Sequence, residues 1–230
     1  MHKLFLFQYL LIFAFIILST FTSSFYLHGQ ATFLEGQVIL NNGDTLNGLI
    51  GISGSNRRYR ECLFRTGLKA DTRVINPEEA KAYLVKDRSY FISQKIEIEP
   101  SVEQIVFLEY ILKGKASLLK HQNQYFLAEE DQALKKIPYR ADAEQGNIDQ
   151  ARNRKQQLEW FDFLNGLKAD CPELTEYYAD SRNVKANAKN LTEIIRRYNA
   201  CQGSLILEPG KDLPLAKVDI GIALSINRAN

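Results

Sequence analysis

Between Phe33 and Ile137 polar turns cut the chain into short apolar runs. Runs of about four to eight residues bounded by turn residues suit strands and are too short for globular helices. GQVIL and LNGLIGI flank NNGDT, in which Asn42-Gly43 tolerates positive φ and Asp44 and Thr45 can hydrogen-bond the backbone of the turn. Asp44 therefore organises a hairpin. The order here is Gly-Asp-Thr, not the Asp-Thr-Gly of aspartic proteases, and no second copy supplies a partner carboxylate. RYRECLF, TRVIN, KAYLVKD, SYFISQKIEIE, QIVFLEYILKG, KASLLKH and QYFLAEE follow with short connections, which predicts an antiparallel meander in a sheet or small barrel. Pro77 followed by Glu78 and Glu79 predicts one short turn of helix among them.

After Ile137 the period changes. ADAEQGNIDQARNR is polar, a linker or a solvated helix start. RKQQLEWFDFLNGL then places Leu158, Phe161, Leu164 and Leu167 three apart, widened by Trp160 and Phe163. Asp170-Cys171-Pro172 reads as a cap with proline just inside the next helix, PELTEYYADSR. In NAKNLTEIIRRYNACQG, Leu191, Ile194, Ile195, Tyr198 and Cys201 share one face, and Gly203 stops the helix. Trp160, Tyr177 and Tyr178 at this spacing read as core in preference to a ligand platform. Last, KVDIGIALSINRAN alternates strictly, with Val218, Ile220, Ile222, Leu224 and Ile226 on one face. That is the pattern of a membrane strand, or equally of a strand completing a soluble sheet. The expected fold is α+β: an antiparallel β-rich domain over 33–137, a helical domain of three helices over 148–203, and an amphipathic strand over 217–228.

The first residues, MHKLFLFQYLLIFAFIILSTFTSSFYLHGQATF, run from Lys3 through an apolar stretch to small residues at Gly29 and Ala31. This is signal-peptide order, giving a leader over 1–29 with cleavage after Gly29 or Ala31. The alternative is an uncleaved anchor, since the stretch approaches the roughly 17-residue minimum for spanning a bilayer. In an oxidising compartment, cysteine placement becomes informative. Cys171 and Cys201 border predicted helices and are the expected disulfide, whereas Cys62 lies in a strand-like run and reads as a small buried apolar residue. A loop that long would contribute roughly 3 to 4 kcal/mol in the chain-entropy picture.

Residues of catalytic type are sparse. Of the three histidines, His2 and His28 fall in or beside the leader, and His121 lies in KHQNQY, which reads as a surface hairpin turn. Cys62, His121, Cys171 and Cys201 lack the short spacings of zinc sites. Gly48, Gly51 and Gly54 lack the spacing and following helix of a dinucleotide loop. Glu129-Glu130-Asp131 reads as solvated charge. Arg57, Arg58, Arg60 and Arg65 suggest phosphate or an anionic glycan, but in a strand they would alternate between faces. A net charge of +2 gives no overall field for nucleic acid. No catalytic, cofactor or metal residues are assigned, and the chain is expected not to be an enzyme.

The series GQVILNNGDTLNGLI, INPEEAKAYLV, VFLEYILKGKASLLKH with QYFLAEE, DCPELTEYY and LTEIIRRYNAC resembles the N-terminal region of outer-membrane β-barrel proteins of the Bacteroidetes type. The resemblance covers about Gly36 to Cys201 and is carried by the series, not by any one motif. It implies a secreted β-rich region and a small helical region preceding a membrane barrel that would begin near Lys217. The chain departs from that pattern at Asn230, which suggests a truncated product, a fragment or a member that lost its barrel, so barrel function is not carried over. The expected function is a non-enzymatic interaction or structural module of the envelope, in the periplasm or at the outer membrane or surface of a Gram-negative bacterium. Its expected partners are envelope components, including a surface polysaccharide or a protein. The alternative is a secreted hydrolase or small-ligand-binding protein without a linear motif. Intact-mass measurement of the exported protein should show loss of residues 1–29 or 1–31; an unprocessed N-terminus would mean an anchor.

Overall fold

The computed structural model describes residues 32–209, apart from 53–54, 130–131, 139–149, 180–183 and 185–186. The expected leader over 1–29, the start of the helical segment at 148 and the strand over 217–228 lie outside the described residues.

The described chain is α+β, a ten-stranded antiparallel sheet followed by three helices. Its strands are β1 (Thr32–Leu40), β2 (Thr45–Ile52), β3 (Cys62–Arg65), β4 (Arg73–Ile75), β5 (Ala80–Val85), β6 (Ser89–Glu99), β7 (Val102–Leu112), β8 (Ala116–His121), β9 (Gln124–Glu129) and β10 (Lys135–Lys136). The sheet order is β10-β9-β8-β7-β6-β5-β1-β2-β3-β4. Two meanders are thus joined by β1 pairing with β5, in register from Gly36 opposite Val85.

This order forces curvature. β4 and β5 stand four places apart, roughly 19 Å in a flat sheet at about 4.8 Å per strand. Only Asn76 to Glu79 connect them, and that connection is a tight turn in which Glu79 N–H donates to the Asn76 carbonyl at 3.0 Å. A turn spans less than about 7 Å, so β1–β4 must coil back over β5. Gly36 and Gly48 face each other across β1 and β2. A Cβ at Gly36 would strike the Leu84 carbonyl and Ile50, and one at Gly48 the Arg65 carbonyl and the Phe64 ring. Their missing side chains allow the close approach. Val38, Ile50, Tyr59, Cys62, Phe64, Ile75, Tyr83, Phe91 and Phe107 fill the inside of the coil. Ala82, Leu84, Tyr90, Ile92, Leu108 and Leu119 form a separate cluster, so Ala82 to Val85 of β5, Tyr90 to Ile92 of β6 and Val106 to Leu108 of β7 are buried on both faces. This is why AYLV, YFI and VFL are continuous apolar runs.

The first hairpin closes as its turn chemistry dictates. Gly43 N–H donates to the Leu40 carbonyl, Gly43 sits at φ 95°, and Asn42 Oδ1 accepts from the Asp44 N–H at 3.0 Å. Asn76, Pro77, Glu78 and Glu79 make one short hydrogen-bonded turn, of the length expected there, before β5 starts at Ala80. One local expectation fails: RYRECLF is a strand only from Cys62, and Ser55–Tyr59 is a 3-10 turn instead. Tertiary contacts decide this: Tyr59 Oη lies 3.2 Å from Glu109 Oε2, and Tyr83 Oη donates to the Arg58 carbonyl at 2.7 Å.

The helices are α1 (Gln150–Asp170), α2 (Pro172–Tyr177) and α3 (Ala188–Cys201). They share one core with the β7–β9 end of the sheet, where Leu112, Leu118, Tyr125 and Leu127 meet Trp160, Leu164, Leu191 and Ile195. The buried stripe of α1 is Trp160, Leu164 and Leu167, at i, i+4 and i+7, whereas Leu158 is exposed. Pro172 opens α2, and its cap is Cys171, whose sulfur is joined to Cys201 with Cα atoms 6.0 Å apart. Asn187 Oδ1 caps α3 by accepting from the Asn190 N–H at 2.8 Å.

The end of α3 docks the helices. Gly203 at φ 64° forms a Schellman closure: its N–H reaches the Ala200 carbonyl and the Ser204 N–H reaches that of Asn199. Ser204 Oγ then accepts from the Lys115 N–H at 2.9 Å, and Leu207 and Lys113 exchange two backbone hydrogen bonds at 2.9 Å. Asn199 is fully buried; its Oδ1 accepts from the Ala116 N–H at 2.8 Å and its Nδ2 donates to the Ala116 carbonyl at 2.7 Å. Replacing Asn199 with Leu would strand that buried N–H and carbonyl, each worth about 1–3 kcal/mol. We expect N199L to lose about 3 kcal/mol in urea unfolding, read as a lower midpoint at unchanged m.

Candidate functional site

A cleft of about 610 Å³ opens where the end of β6, the β8–β9 hairpin, β10 and α1 converge. That is within the roughly 300–1,000 Å³ of small-molecule sites. Its floor is apolar and sunk into the protein: Ile96, Phe126 and Ile137 are all buried. Its accessible wall is mixed, with exposed Ile98 of β6 and half-buried Pro138 beside a set of polar groups. The hairpin contributes Gln122, Asn123 and Gln124, β6 contributes Glu97, and α1 contributes Gln156 and Glu159. Lys136 of β10 completes the rim.

Local structure fixes these groups. His121 and Gln124 pair across a two-residue loop, so Gln122 and Asn123 project from the tip. Gln122 stands at φ 52°, the left-handed region where glycine or asparagine is the usual occupant. Gln124 Nε2 donates to the Tyr125 and Ile137 carbonyls at 2.9 and 2.7 Å, fastening β10 beneath the hairpin. Glu97 Oε1 accepts from the Ser101 N–H at 2.7 Å, and Glu159 faces Lys155 at 3.9 Å. On α1 the wall is anchored by Trp160, whose Nε1 donates to the Val184 carbonyl at 2.9 Å.

His121 is buried at this cleft, not on a surface turn as its local sequence predicts. Its ring packs 5.0 Å from that of Tyr59, and Nδ1 lies 3.4 Å from the Phe107 carbonyl. Burial disfavours the imidazolium and holds its pKa below the ordinary histidine value; the Phe107 carbonyl opposes this more weakly. Among the described residues lining the cleft none carries a hydroxyl or thiol. Among the described residues no three His, Cys, Asp or Glu side chains converge as metal ligands.

The other groups singled out in the sequence are engaged elsewhere. Arg57 pairs with Glu61, Arg58 lies 3.8 Å from Glu109, and Arg65 covers the Phe33 ring at 4.0 Å. Only Arg65 of the four arginines is in a strand; Arg57 and Arg58 lie in the 3-10 turn and Arg60 directly follows it, so they do not alternate along one strand. Asp44 remains in its turn. Glu129 faces Lys135 at 3.5 Å, while Glu130 and Asp131 lie outside the described residues. Cys62 is buried, and burial pushes its thiol up to about 12. Trp160 is core, whereas Tyr177 is exposed beneath the Arg197 guanidinium at 3.5 Å. No family model, curated protein or solved structure matches the chain. No helix among the described residues is long and apolar enough to cross a membrane.

The His121 shift fixes a pH dependence. Its folded pKa lies below the unfolded value of about 6.5, so the unfolded chain binds more protons between the two. Stability is therefore full above about pH 6.5 and is lost as pH falls through the folded pKa. Urea midpoints between pH 7.5 and 5.5 should fall, and H121F should flatten that slope; an equal slope in both proteins would show that His121 is not the titrating group.

Proposed function

We propose that the protein is a non-enzymatic, exported module of the cell envelope, with an interaction or structural role at the outer membrane of a Gram-negative bacterium. The observation that carries this reading is the Cys171–Cys201 disulfide, whose Cys171 end is fully buried in the core shared by helices and sheet. Disulfides of this structural kind belong to oxidising compartments. The leader-like N-terminus and the resemblance to Bacteroidetes-type outer-membrane proteins support the same placement, and the alternating residues over 217–228 support contact with the membrane. A second reading, a secreted small-ligand-binding protein, is favoured by the cleft beside His121. Both share export; they differ in whether the cleft is used.

The full chain, expressed with its own N-terminus in a Gram-negative host, should fractionate with the envelope. Alkylation after denaturation without reductant should label one thiol, Cys62, and only reduction should expose the other two. Recovery from the cytosol with three reactive thiols would refute the proposal.

A further inference from the structure

We infer that the hairpin end of β6 and β7 is a docking arm, and that its occupant is an extended basic segment of a partner protein, added as a strand along β7. This rests on the interaction-module reading above and names the partner's chemistry. β5 pairs with β6 only as far as Ile92, and β8 pairs with β7 only from Glu109 onward. Beyond those limits, residues 95–99 and 102–105 pair with each other alone. Among the described residues no strand covers the outer side of β7 from Val102 to Ile105, which leaves a template for another strand. The terminal edges of the sheet are blunt by comparison: β4 has three residues, and β10 has two, both lysine.

Two features select the occupant. Ile98, Val102 and Ile105, three of the eight large apolar side chains exposed among the described residues, all lie on this arm. Exposed apolar groups gathered in one place mark an interaction surface. The second feature is charge. Glu97 stands directly opposite Glu103 in the hairpin register, an arrangement that costs stability. Lys95 pairs with Glu103, which leaves Glu97 and Glu99 without an ion pair among the described residues. A guest cation beside Glu97 and Glu103 relieves that repulsion, whereas a second copy would set its own carboxylates against these. Strand geometry then fixes the guest's pattern. Its residue beside Glu103 shares that acidic face, and its neighbours on either side lie with Val102 and Gln104 on the other. Basic and apolar residues therefore alternate.

The test uses the purified, processed full chain and three blocked heptapeptides. One alternates lysine and valine, one has glutamate in place of lysine, and one carries proline at the centre of the lysine peptide, where it interrupts a ladder. The lysine peptide should bind saturably and slow hydrogen exchange at amides within 102–105. E97Q should weaken binding about threefold and E97Q/E103Q about tenfold. The urea midpoint of E97Q should stay level or rise, because a like-charge pair is gone; general damage to the arm would lower stability and binding together. Failure of the lysine peptide to bind, equal binding of the glutamate or proline peptide, exchange slowed only outside β7, or binding untouched by the two variants would overturn the inference. So would a free chain that is dimeric with 102–105 already protected, since the occupant would then be a second copy. An exported protein that ignores the lysine peptide refutes the arm assignment alone; one that binds it but is recovered from the cytosol refutes the envelope reading alone.

Discussion

The side chain of Asn199, sunk between α3 and the start of β8, decides where the helices sit. A primary amide can donate and accept along the same direction as a peptide group, so Asn199 pairs with Ala116 as a strand residue would. The position tolerates no substitute nearby: a Cβ at Gly114 would stand 2.7 Å from the Asn199 amide. Once that contact is made, the Schellman closure at Gly203 delivers Ser204 to Lys115, and Leu207 to Lys113. The β7–β8 connection thus has its backbone groups satisfied by residues more than eighty positions away. Apolar burial of Ile194, Ile195 and Leu191 supplies the greater driving force. That force is non-directional, and the amide makes it choose one docking.

The elements read correctly from sequence are those whose cause is local. The Asn42-Gly43-Asp44 turn follows from side chains that bond within the turn, and α3 from a full apolar stripe with a glycine stop. Failures occur where a distant partner overrides local pattern. RYRECLF alternates like a strand, yet Arg58 and Tyr59 leave that path because Glu109 and Tyr83 await them across the coil. Leu158 begins a plausible stripe in α1, but Trp160 takes the core because Val184 offers its indole an acceptor. The β1–β5 pairing had no linear signal, since it depends on glycines permitting curvature that only the complete sheet requires.

The cleft was the least legible feature. KHQNQY was correctly read as a hairpin, and its neighbours in space come from Tyr59, Glu97 and α1. Asn199 was nearer to legibility: a polar residue four after Ile195, on an otherwise apolar face, is itself a request for a buried partner. Sequence shows the request and not who answers it.

A binding site gains most when its groups are fixed before the ligand arrives, because ordering flexible side chains is a cost of association. Here each wall is held by an interaction beneath it. Gln124 ties the hairpin to β10 through two carbonyls, and Trp160, the residue after Glu159, pins α1 by its indole N–H. The disulfide fastens the segment just beyond α1 to the end of α3, where Asn199 joins the sheet. Each of the two walls therefore traces back through covalent or hydrogen-bonded links to the same buried seam.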